Sequence, residues 1–107
     1  MENKELRKFL LKIGISSNIQ GYHYIISAVN FISKQKIHTN TTTIYEIIGK
    51  EYEKKSSAVE RGIRHAIQQS YKKHQILNGI YQGIPDNSVF LYDLVFNFDI
   101  LQGFIEG

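Results

Sequence analysis

A helix-dominated domain containing a helix-turn-helix is the fold this sequence predicts, on three observations. Punctuation is sparse, with a single proline, Pro85, among 107 residues. Apolar residues recur at i, i+3, i+4 and i+7 through most of the chain. In its middle, a short helix, a brief lysine-bearing turn and a longer basic helix follow one another, which is the helix-turn-helix outline. The length sets one compact domain, 1–107, as the expectation and leaves no room for a second lobe.

The first helix is expected over Glu5 to Ile13, where Leu6, Phe9, Leu10 and Ile13 form one stripe and Gly14 supplies the stop. After the turn around Ser16, Ser17 and Asn18, the stretch Tyr22 to Ser33 places Tyr22, Ile25, Ile26, Val29 and Ile32 together, beside Ala28. Thr41, Thr42 and Thr43 offer hydroxyl caps to a third, short helix carrying Ile44, Ile47 and Ile48, which Gly49 weakens. Lys54, Lys55 and Ser56 make a tight connection. Ser57 and Glu60 then have the S-x-x-E spacing of a capping box, so a fourth helix should start at Ser57 and run to about Lys73, with Val59, Ile63, Ala66 and Ile67 facing inward.

The tail reads two ways. Every even position from Phe90 to Ile100 is apolar, a strand signal, yet Phe90, Leu91, Leu94, Phe98 and Leu101 also form a helical stripe. As a strand, with turns at Asn78-Gly79 and between Gly83 and Asn87, it would make a winged helix with a C-terminal hairpin. Asp93, Asn97 and Asp99 interrupt the apolar run and argue against a membrane span.

Apolar residues at 42% and charged residues at 21% exclude wholesale disorder. The absence of cysteine excludes a disulfide framework, a thiolate metal site and a cysteine nucleophile, and fits a reducing, cytoplasmic setting. Net charge is +3, but its distribution is two-ended: residues 1–73 hold all thirteen Lys and Arg with six acids, whereas residues 74–107 hold four acids and no Lys or Arg. Such a split suits one surface for a polyanion and another for protein contact.

On the fourth helix, Ser57, Glu60, Arg61, Arg64, His65 and Gln68 share the face opposite Val59, Ile63 and Ile67. Arginine can fork onto guanine N7 and O6, glutamate can accept from the cytosine amino group and glutamine can pair with adenine, so this face has the residue types that read base edges. Lys54 and Lys55 in the turn, and Lys72 and Lys73 near the helix end, are placed to meet phosphates of double-stranded DNA. The plainer reading of the same face is a solvated one laced by Glu60 and Arg64. His23, His38, His65 and His74 lie at no ligand spacing, there is no nucleophile elbow and Gly79, Gly83 and Gly103 form no phosphate loop, so neither a metal, a cofactor nor an enzyme is expected.

The string from Ser57 to Ile67, S-A-V-E-R-G-I-R-H-A-I, closely resembles the recognition helix of the C-terminal effector domain of the stage-zero sporulation protein A family. Ile13-Gly14-Ile15 through Tyr24 is similar to that family's first helix junction. Ile44, Tyr45, Ile48 and Tyr52 resemble its first helix-turn-helix helix. Leu77 to Tyr81 and Pro85 to Phe90 resemble the starts of its last two helices, so the likeness runs from about Leu6 to Val95. It implies an all-α domain of about six helices, with a helical tail rather than a wing. It also implies a short asymmetric DNA box bound in tandem copies, the last helices making protein contact. By position, Glu60 and Arg61 look like base readers, with Arg64, His65 and Ser57 as further groove or phosphate contacts.

Three departures stand out. Ala58 occupies a position where the family usually carries a base-reading arginine, implying a changed or relaxed box. Lys54, Lys55 and Ser56 replace threonines and a proline, trading hydroxyl contacts for charge. The Tyr81 to Pro85 connection is shorter, and the tail past Val95 longer and more apolar, which bears on dimer geometry. The expected function is a sequence-specific DNA-binding transcription regulator without a receiver domain, either a stand-alone relative, the preferred reading, or an excised effector domain. The alternatives are a plasmid or phage accessory protein marking an origin or transfer site, and a module that titrates a sporulation regulator through its tail. The apolar content of residues 88–105 predicts self-association as a homodimer.

Overall fold

A computed structural model describes residues 3–35 and 40–106 of the chain, so His38 and its neighbours lie outside it. Seven helices account for the described residues, in the order α1 (Asn3–Lys12), α2 (Gln20–Lys34), α3 (Thr41–Tyr52), α4 (Ser56–Lys73), α5 (Gln75–Ile80), α6 (Asn87–Phe96) and α7 (Phe98–Glu106). The helical stripes of the first four segments form as their spacing predicts, with Leu6, Phe9, Ile25, Val29, Ile44, Ile48, Val59 and Ile63 all buried. Ile47 departs from its stripe and lies 37% exposed.

The first helix ends where glycine permits. Gly14 takes φ +89°, the left-handed region that costs an L side chain about 1–2 kcal/mol. Its amide donates to the Leu11 carbonyl and that of Ile15 to Leu10, so the last carbonyls of α1 are satisfied while Leu10 and Ile15 close over them. The same device ends α3 with less suitable chemistry. Glu53 adopts φ 56°, ψ 47°, and its amide and that of Lys54 both donate to the Gly49 carbonyl. Gly49 is required for this turn, because a Cβ there would lie 2.5 Å from the Lys54 carbonyl oxygen.

Two expected caps are corrected. At α3 the cap is Asn40, whose Oδ1 accepts from the Thr43 amide at 2.9 Å, and the threonines lie inside the helix. The capping box at Ser57 and Glu60 does not form: α4 begins one residue earlier, at Ser56, with Lys55 as an N-cap that makes no side-chain bond. Ser57 is then too deep to cap, and Glu60 turns along the helix towards Arg64 instead, 3.6 Å away.

No strand occurs among the described residues, which overturns the winged-helix alternative. Asn78 and Gly79 fall inside α5, and the segment before Asn87 is a loop rather than a hairpin arm. The apolar tail folds as two helices because Asn97 breaks it. Its amide donates to the Asp93 carbonyl and its Nδ2 to Asp93 Oδ1, both at 2.9 Å, and α7 leaves at 93° to α6. That break also makes seven helices where the family likeness implied about six. Phe90, Leu91, Leu94 and Leu101 are thereby all buried, and Phe98 packs edge-on against Phe9 at 5.5 Å. No single described helix is long and apolar enough to cross a membrane.

The core draws on every helix, and α2 and α4 lie at its centre: α2 packs against α1, α3, α4 and α6, while α4 packs against α2, α3, α5 and α6. The two approach at backbone range. A Cβ on Gly21 would stand 2.4 Å from the Gly62 carbonyl oxygen, and one on Gly62 would stand 2.9 Å from the Tyr24 ring. Glycine at position 62 is thus fixed by packing.

Candidate nucleic-acid interface

Helix α4 is amphipathic in a way that sets up a site. Val59, Ile63, Ala66, Ile67 and Ser70 are buried on one side. On the other, Ser57, Arg61, Arg64 and His65 are exposed, and Glu60 and Gln68 are half-buried at its edge. Lys54 and Lys55 stand exposed in the three-residue connection from α3, and Lys72 and Lys73 are exposed at the far end. The face proposed from spacing is therefore a real surface of the fold, with cations at both ends.

The structure divides these residues into two groups. Glu60, Arg64 and Gln68, four residues apart along one line, form the floor of an open groove. Thr41 and Tyr45 of α3 line one part of it and the Ile84–Ser88 segment another. Arg61, His65 and Ser57 are absent from that groove and occupy the outer face of α4. Glu60 and Arg64 form an exposed i, i+4 pair of the kind worth a few tenths of a kcal/mol, about 0.3–0.5. Such a weak pair leaves both side chains available to a partner.

Spacing did not find the groove wall. The N-cap of α6 is Asp86, with no side-chain bond, and the next residue, Asn87, is buried. Its Nδ2 donates to the Tyr45 hydroxyl at 3.1 Å and to the Glu60 carbonyl at 3.0 Å. Burial pushes the Tyr45 hydroxyl above its ordinary pKa, against the opposing effect of its bonds to Asn87 and Thr41. Behind the wall, the Tyr81 hydroxyl donates to Asp93 Oδ2 at 2.7 Å, and burial, reinforced by that carboxylate, raises its pKa strongly. Asp93, one of the polar interruptions of the apolar run, is a structural acceptor for both Tyr81 and Asn97.

An all-helical fold that presents arginines, a histidine and flanking lysines along one long helix, directly after a short turn, belongs to the class of DNA-binding domains. The family model described as sporulation initiation factor Spo0A C terminal matches residues 6–92, and the chain belongs to that family. The family consists of DNA-binding effector domains of sporulation regulators. No solved structure matches the chain.

Proposed function

We propose that this protein is a sequence-specific double-stranded DNA-binding regulator of transcription, with α3, its turn and α4 as the helix-turn-helix. The observation that carries the proposal is the exposed line Ser57, Arg61, Arg64 and His65 on α4, opposite a fully buried apolar face. In this reading Arg61 and Arg64 fork onto guanine edges, Glu60 and Gln68 read cytosine and adenine, and His65 and Ser57 complete the groove contacts. Lys54 and Lys55 meet phosphates beside the helix start and set the register.

Selection of duplexes from a random pool tests this directly. Enrichment of one short box at moderate salt is the expected result, and Arg61→Ala should then cost about 1–3 kcal/mol on that box and flatten discrimination at one base pair. Equal losses on the box and on scrambled DNA would remove Arg61 from base reading.

Self-association belongs to the same reading, with its surface redrawn. Of the residues first assigned to it, Phe90, Leu91, Leu94 and Leu101 are core. The exposed apolar side chains left in this segment are Val89 at 47%, Phe96 at 65%, Ile100 at 58% and Phe104 at 56% exposure, the last three at the α6–α7 corner and on α7.

A further inference from the structure

We propose that Asn87 is a positioning residue for DNA reading, a pin that fixes the axial setting of α4 against α3 and α6. The proposal rests on the DNA-reading assignment made above and extends it to a residue outside the helix-turn-helix. Among the described residues, and apart from the tyrosines Tyr22 and Tyr24, the buried polar side chains are Ser70 and Asn87. Both act on α4. Ser70, in its C-terminal half, donates to the Ile13 carbonyl at the end of α1, and Asn87 holds its N-terminal half through the Glu60 carbonyl.

The chemistry of Asn87 suits this task and that of its neighbours does not. An amide nitrogen has two N–H groups, and here one is given to a side chain of α3, Tyr45, and the other to the backbone of α4. One planar group therefore ties three elements, since Asn87 itself opens α6. A buried amide without partners is costly, so the position is tolerated only while both bonds are made, and the geometry is over-determined. Pro85, with its fixed φ, stands two residues before it and stiffens the approach.

The bonded carbonyl belongs to Glu60, the residue that begins the groove line Glu60, Arg64, Gln68. Bidentate readout of a base tolerates misplacement of only about 0.5 Å, so a shift of α4 along its axis moves these side chains off their base edges. Phosphate contacts, made by long flexible lysines, tolerate the same shift. The pin should therefore govern discrimination between sequences while leaving general affinity for DNA unchanged.

The test compares wild type with Asn87→Ala, Asn87→Asp and Tyr45→Phe, each on the box enriched by selection and on a scrambled duplex, with melting temperatures recorded. Asn87→Asp keeps the shape but cannot donate to the Glu60 carbonyl. Both Asn87 variants are expected to lose about tenfold in discrimination, at the base pairs facing Glu60 and Arg64, with affinity for scrambled DNA within about twofold of wild type. Tyr45→Phe, which leaves the Glu60 bond in place, should lose about threefold and remain folded. A folded Asn87 variant that discriminates as wild type does would overturn the pin. Should both Asn87 variants fail to fold, unchanged discrimination in Tyr45→Phe overturns it instead. If wild type enriches no box, the DNA-reading assignment fails; if it enriches one and Arg61→Ala weakens it while the Asn87 variants do not, the pin alone fails.

Discussion

Two glycines in helices separate packing from propensity. On propensity alone, alanine is the better helix former by about 1 kcal/mol at both Gly49 and Gly103. Gly103 has nothing within 4 Å of where a Cβ would stand, so Gly103→Ala should stabilise the protein by about 0.5–1 kcal/mol. Gly49 meets the Lys54 carbonyl at 2.5 Å, a backbone atom that cannot swing aside, so Gly49→Ala should destabilise by about 1–3 kcal/mol. Urea titrations of the two variants check this, and stabilisation by both would mean that the turn between α3 and α4 relaxes freely. Sequence reading took Gly49 as a weak point of α3, and the structure makes it the condition for α4 to start three residues after the left-handed Glu53.

Tyr81, which opens the α5–α6 connection, is tied to α6 by the bond from its hydroxyl to Asp93. Because the folded-state pKa of Tyr81 is raised, the folded protein holds the proton that the unfolded chain releases near pH 10. The sign follows: this contribution to stability is fully present below about pH 10 and is lost as pH rises above it. Denaturation midpoints between pH 8 and pH 11 should therefore fall more steeply for wild type than for Tyr81→Phe. Parallel curves would show that the hydroxyl carries no such linkage. The same bond explains why Asp93 sits within an otherwise apolar segment: it accepts from Tyr81 on one side and from Asn97, at the corner into α7, on the other.

The whole molecule carries its basic surface on the first four helices and an acidic, apolar end on α6 and α7. Ile100 and Phe104 lie four residues apart, on one side of α7, and Phe96 stacks on Tyr92 at 5.8 Å near the corner. Self-association should use these side chains, so Ile100→Asp with Phe104→Asp should remain folded and shift sedimentation towards monomer. Leu101→Asp should unfold the protein instead, because Leu101 is core. A wild type that sediments as a monomer both free and on a duplex with two boxes would remove the interface.

The sequence by itself determined the first four helical segments and the outward face of α4, because both depend on periodicity, which any helix expresses whatever its neighbours. It also determined the family, through the Ser57 to Ile67 string and residues spread between Leu6 and Val95. Only the tertiary structure decided the tail, where helical and strand periods coincide and Asn97, at φ −128° and ψ 27°, breaks the run. It also decided the fate of Glu60, which spacing placed in a capping box and which the one-residue shift of the α4 start freed to face a groove. The reach of Asn87 to partners 27 and 42 residues away was invisible for the same reason. Local spacing encodes which face a residue shares, whereas a hydrogen bond across the core depends on where other helices come to rest.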